Sequence, residues 1–135
     1  MKNRSGKISV CLSIAVVATL FLLVSYQYTF GQETEVLPKT TIEVALGENA
    51  VITLESNHTT GFRWELAAPL DRTKLEFVDT NYVTGGSGLM GAGGQEVWTF
   101  KTINSGTTEV ALKYVQPWEK NKPPAREATV VVVIK

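Results

Sequence analysis

The chain offers little to disulfide, thiol or metal chemistry: its 135 residues hold one cysteine, one histidine and two methionines. Cys11 lies early in an apolar run, before most of it, and so is not placed like a lipoprotein acylation site. The rest of the chain therefore has no thiol nucleophile, no disulfide and no cysteine-based metal site, and its core must hold it together unaided. A lone histidine, His58, is a poor metal site by itself, so neither metal nor cofactor is expected. Charge of one sign is also missing. Thirteen basic residues face thirteen acidic ones, and three of the basic ones with no acid fall in residues 1–31, leaving ten against thirteen beyond. Such a mildly acidic remainder has no nucleic-acid footprint. Helical periodicity is absent too; no stretch repeats apolar residues at the helical spacing long enough to define a helix.

One long hydrophobic run is present, at residues 8–24, "ISVCLSIAVVATLFLLV", behind the basic opening "MKNRSGK". A charged start followed by an apolar segment is an export signal. At 17 residues the run lies between a cleaved signal core, about 7–15 residues, and a spanning helix of about 18 or more. Residues 1–31 are thus a signal peptide cut near Thr29-Phe30-Gly31, or an uncleaved membrane anchor through residues 8–24. Either way the folded part is exported, as a secreted or surface-held protein. Residues 32–39 form a short polar tether, and residues 40–135 the domain.

Within the domain, alternation of apolar and polar residues dominates. Ile42, Val44 and Leu46 alternate with polar or small neighbours; Ala50, Ile52 and Leu54 repeat this after a Gly47-Glu48-Asn49 turn. Phe62, Trp64 and Leu66 come next, then a short run at residues 75–78, then Trp98 and Phe100, then Val110, Leu112 and Tyr114, and finally "TVVVVI" at 129–134. The last, β-branched throughout, fits a strand covered on both faces. "NSGT" at 104–107 is a hairpin-type turn. Seven short strands in about 95 residues predict an all-β, immunoglobulin-like sandwich, with an open barrel as the structural alternative.

Three connections have unusual composition: "SNHTTG" at 56–61, the long "TNYVTGGSGLMGAGG" at 80–94, and "QPWEKNKPPAR" at 116–126. They join the second strand to the third, the fourth to the fifth and the sixth to the seventh. In an antiparallel sandwich alternate connections emerge at one end, so these three share it while the short, plain turns take the other. Binding residues concentrate on loops held by a rigid scaffold. Gly86-Ser87-Gly88-Leu89-Met90-Gly91 matches G-x-G-x-x-G literally, but the continuation "QEVWTFK" reads as a strand and not as the helix a dinucleotide site requires. Glycines here let a partner approach the backbone, and Leu89 and Met90 add adaptable apolar contacts. Trp118, beside Pro117, stands outside the core alternation; it either folds back over the end of the sandwich or is an exposed anchor. His58 with Thr59 and Thr60 has no acid partner in the sequence pattern, so a solvent-exposed turn histidine is expected and catalysis is not.

With these loops in view, the domain resembles the chagasin-like inhibitors of papain-family cysteine peptidases over about residues 36–135. Their pattern is an Asn-Pro-Thr-Thr-Gly loop, a Gly-x-Gly-Gly loop and an Arg-Pro-Trp loop, in that order. Here these stand as "NHTTG" at 57–61, "GAGG" at 91–94 and "QPW" at 116–118, with "GFRWE" and "EVWTFK" beside the first two. The resemblance implies a monomeric wedge that enters a papain-family peptidase cleft and inhibits reversibly, competitively and without a covalent bond. Its contacts would be Asn57, His58, Thr59, Thr60 and Gly61, then Gly91, Ala92, Gly93 and Gly94, then Gln116, Pro117 and Trp118. Thr59 and Thr60 would approach the catalytic cysteine and histidine, and Trp118 the primed-side wall.

Two positions depart from the pattern. His58 replaces proline, a change that removes about 0.4–1 kcal/mol of chain ordering and so loosens the wedge. Gln116 replaces arginine and loses a charge and a fork of donors. With proline gone, Asn57-His58-Thr59 is an N-glycosylation acceptor. A glycan there would block the wedge, so Asn57 is expected to be unmodified in active protein. The alternative reading is an exported immunoglobulin-like adhesion module using the same loop end.

Overall fold

The computed structural model describes residue 31, residues 33–86 and residues 88–135. Apart from Gly31, the signal-or-anchor reading of residues 1–31 lies outside the described residues. The domain is all-β: β1 (Glu35–Val36), β2 (Thr40–Val44), β3 (Asn49–Ser56), β4 (Arg63–Leu66), β5 (Leu75–Thr84), β6 (Gly94–Thr102), β7 (Gly106–Val115) and β8 (Arg126–Ile134). One sheet has the order β1-β8-β7-β4, with β2 also on β8; the other is β3-β6-β5. This is the immunoglobulin-like sandwich that the alternation predicts, with β1 added to the seven expected strands.

Alternation builds the core directly. Ala50 and Ile52 from β3, Trp98 and Phe100 from β6, Val110, Leu112 and Tyr114 from β7, and Ala128, Val130, Val132 and Ile134 from β8 are all buried. Side chains two apart share a face, so these meet between the sheets, with Trp64 and Leu75 filling the sides. β8 is flanked by β7 on one edge and by β1 and β2 on the other. Its burial alternates between full and partial, never open beyond Glu127, as its β-branched run requires.

Three expectations are corrected. The tether at 32–39 is not free of structure: Glu35 and Val36 pair in parallel with Arg126 and Glu127 of β8. Pro38, which cannot donate to a ladder, separates that pairing from the one β2 makes further along β8. The fourth strand does not stop at residue 78. A register shift between Phe77 and Asp79 lets β5 continue to Thr84 against β6, so the glycine loop spans only 85–93 and Gly94 is already in β6. The turn-forming Asp79 and Asn81 hide this in the sequence; the bulge falls at Val78, and both residues pair with β6 beyond it. "NSGT" is not a hairpin turn, because β6 and β7 belong to different sheets. It carries the chain across the sandwich, with Gly106 at a φ of 128° where the crossing ends.

The short turns meet at one end. Thr102 there accepts from the Gly47 amide at 2.8 Å and donates to the Glu48 carbonyl at 2.8 Å, joining the β2–β3 turn to the end of β6.

Candidate functional site

The opposite end carries the three unusual loops, and the structure joins them. The first, residues 57–62, opens from an extended Asn57 (φ −133°, ψ 94°) into a 3₁₀ turn, His58–Thr60, which Gly61 closes in the left-handed region. The Asn57 carboxamide oxygen accepts from the Thr59 amide at 3.1 Å and from Thr59 Oγ1 at 2.5 Å. Thr60 Oγ1 donates to the Asn57 carbonyl at 2.7 Å. An asparagine followed by hydroxyl residues favours this Asx-type arrangement over a regular strand. The Asn57 backbone amide, in turn, donates to the Tyr114 hydroxyl at 2.8 Å, anchoring the loop on β7.

Contacts between loops are as direct. Asn57 Nδ2 donates to the carbonyl of Gly91 in the second loop at 3.2 Å. Gln116 Nε2, at the start of the third, donates to the Thr60 carbonyl at 3.2 Å. The Trp118 ring lies over Gly61: a Cβ on that glycine would sit 2.2 Å from Trp118 Cη2. The ring edge of Trp118 thus rests on the first loop while 65 % of the residue remains exposed. Thr59 and Thr60 are exposed, as are Leu89 and Met90 at the tip of the second loop.

Gly61 should thus tolerate no side chain. Gly61→Ala puts a Cβ into a φ of 79°, which costs about 1–2 kcal/mol, and it drives the indole off the first loop. The expected outcome is a domain that still folds, is less stable in a denaturant titration, and has lost the exposed edge that Trp118 forms.

His58 is not the solvent-exposed histidine expected from sequence, nor does it lack an acid. Its Nε2 is 2.8 Å from Glu96 Oε1, its ring stacks on Tyr82 with centroids 3.8 Å apart and 15° between planes, and it is half-buried. Glu96 is only 4 % exposed. It also accepts from Ser56 Oγ at 2.7 Å and from the Trp64 amide at 3.3 Å, the satisfaction a buried carboxylate requires. The pair escaped the sequence reading because 38 residues separate its members.

Despite this histidine and acid, the cluster does not pair a hydroxyl with the imidazole. Ser56 Oγ donates to Glu96, Thr59 Oγ1 to Asn57 Oδ1 and Thr60 Oγ1 to the Asn57 carbonyl, so none of these hydroxyls donates to the imidazole. Among the described residues no group of histidine, cysteine or carboxylate side chains is arranged to hold a metal ion. The G-x-G-x-x-G match leads into β6, with no helix N-terminus to receive a phosphate.

Among the sequence-predicted residues, Asn57, Thr60, Gly61, Gly91, Gln116 and Trp118 bind the loops to one another. Gly94 plays a different part. A Cβ there would meet the Val83 carbonyl at 2.3 Å, so the residue allows β5 and β6 to close beneath the loop.

Known proteins bear on this arrangement. The family model described as chagasin family peptidase inhibitor I42 matches residues 43–133. Amoebiasin-2 from Entamoeba histolytica is 32 % identical over 95 residues, covering 70 % of this chain and 77 % of the relative. Chagasin from Trypanosoma cruzi is 38 % identical over 81 residues, covering 58 % and 74 %. The crystal structure of the cysteine protease inhibitor EhICP2 from Entamoeba histolytica superposes with a TM-score of 0.61 at 28 % identity, over 76 % of this chain and 96 % of that one. The shared family consists of inhibitors and not of enzymes. From residues, fold and relatives together, this chain belongs to the chagasin family of peptidase inhibitors.

Proposed function

We propose that the domain inhibits papain-family cysteine peptidases reversibly and competitively by presenting its three joined loops to the active-site cleft. One observation carries this reading: loops from three separate connections are bonded into a single edge, with Thr59 and Thr60 exposed on it and Trp118 and Met90 beside them. The backbone at Thr59 and Thr60 supports inhibition over cleavage. Thr60 N bonds the Asn57 carbonyl and Gly61 N the His58 carbonyl, at 3.2 and 3.1 Å, so the segment is a closed turn and offers no extended peptide to cut. Binding needs no covalent step, cofactor or second copy of the chain, and the domain acts as a monomer. Nothing observed favours the adhesion reading. The test is a titration of papain and of a cathepsin L-type enzyme with the domain from Gln32 onward, which contains every core residue named above. Inhibition should rise with added domain and be reversed by added substrate.

The same reading extends to the leader. Thr34 Oγ1 donates to the Pro124 carbonyl at 2.7 Å, and Glu35 N to the Ala125 carbonyl at 2.9 Å. The chain thus enters the domain beside the third loop, at the inhibitory end. The active form is the one released by cleavage and secreted. Protein carrying residues 1–31 in lipid vesicles should inhibit a soluble papain-like enzyme more weakly than protein from Gln32 onward; equal inhibition by the two would contradict this.

Asn57 is part of the same surface. Its Nδ2 faces the Gly91 carbonyl, and a glycan on that nitrogen would stand at the join of the first two loops. Intact mass of inhibitory, exported protein should show an unmodified Asn57, and full occupancy in a potent inhibitor would count against the wedge.

A further inference from the structure

We propose that His58 and Gln116, the two positions where the chain departs from its family's loop pattern, are positioning residues that lock the three loops into one frame. This rests on the inhibitory reading of the loop end and deepens it. A proline in place of His58 would stiffen the first loop by fixing φ. The imidazole achieves the same end through contacts. It lies flat on Tyr82 of β5 and bonds to Glu96 of β6, and these are the two strands that carry the glycine loop. The first loop is thereby fastened to the base of the second.

Glu96 is itself held from both sides of the first loop, by Ser56 at the end of β3 and Trp64 in β4. The histidine therefore docks onto a fixed acceptor and not onto a mobile surface carboxylate. Gln116 makes the corresponding link from the third loop. Its amide reaches the Thr60 carbonyl, at the centre of the segment that would enter a cleft. Each departure gives up a stiff ring or a charge, and the residue in its place bonds to a neighbouring loop or to the strands that carry one. Preorganisation of this kind strengthens binding by lowering the ordering cost on association.

The experiment compares His58→Ala, His58→Pro and Gln116→Ala with the wild-type domain and with Thr59→Ala/Trp118→Ala, by inhibition of papain. Thermal unfolding establishes that each variant is folded. Asn57 is extended and outside the α region that a following proline disfavours, and His58 opens a helical turn, where proline fits. His58→Ala should weaken inhibition about tenfold and Gln116→Ala about threefold, with His58→Pro within about threefold of wild type. Rescue by proline distinguishes positioning from contact, because proline can neither stack on Tyr82 nor bond Glu96. Inhibition by His58→Ala equal to wild type would overturn the proposal, and so would a His58→Pro variant as weak as His58→Ala.

A second readout is independent of inhibition. The His58 ring protons should resonate upfield of ordinary histidine positions, and Tyr82→Ala should return them. If the wild-type domain and the double variant alike fail to inhibit, the inhibitory reading falls. Ring-current shifts would then still support the lock, and ordinary shifts would overturn it as well.

Discussion

Replacing Thr59 and Trp118 together by alanine should weaken inhibition of a papain-like enzyme by at least about a hundredfold while leaving the domain folded. A buried tryptophan anchor contributes about 2 kcal/mol or more to an interface, and each 1.4 kcal/mol is about tenfold in affinity. Trp118 has the free area to act so, being 65 % exposed while the edge of its ring is steadied on Gly61. Thr59→Ala removes a side chain from the centre of the edge and also the Thr59 Oγ1 bond that closes the Asn57 turn. Trp118 rests on Gly61, two residues from Thr59, so the two effects are coupled and the double variant is read as one unit. Little stability is at stake, since neither residue belongs to the core cluster. Inhibition titrations beside denaturant melts check both halves; a double variant within about threefold of wild type would remove these residues from the interface.

Phe100→Ala should have the converse signature. Phe100 is fully buried on β6, the middle strand of its sheet, stacked near Trp98 at 6.2 Å and edge-on to Phe77 at 6.0 Å. Truncating it costs about 3–5 kcal/mol in lost transfer energy and cavity, a large part of the roughly 5–15 kcal/mol that stabilises a domain. The domain has no disulfide to offset the loss, because residues 32–135 contain no cysteine. Urea titration should show a fall of that size, unaffected by reductant. The fraction that remains folded should inhibit as wild type does, because Phe100 belongs to none of the three loops. A loss under about 1 kcal/mol would mean the site collapses around the gap.

Most of the scaffold was legible because period-2 alternation marks which residues face inward, and Ile52, Trp98, Leu112 and Val132 all lie where that pattern puts them. The parts that escaped share one cause: their structure depends on residues distant in the chain. Glu35 and Val36 have no strand pattern of their own and pair because β8 presents an edge. Asp79 and Asn81 look like the end of a strand, yet β6 supplies bonds on the far side of a bulge. The Asn104-to-Thr107 turn has hairpin chemistry but joins strands of opposite sheets. In the loops, three short motifs located the end of the domain, whereas the bonds that unite them could not be read locally. The histidine expected in solvent is held by Glu96 and Tyr82. The stiffness given up with proline is restored by a stack and a carboxylate.

The most direct test of the wedge is a titration of papain with the wild-type domain at several substrate concentrations, with the intact mass of the domain taken after prolonged incubation. Competitive, non-covalent occupancy of the cleft predicts an apparent Ki that rises linearly with substrate and a domain recovered whole, the closed turn at Thr59-Thr60 uncut. No inhibition at micromolar domain, inhibition indifferent to substrate, or cleavage between residues 57 and 61 would contradict it.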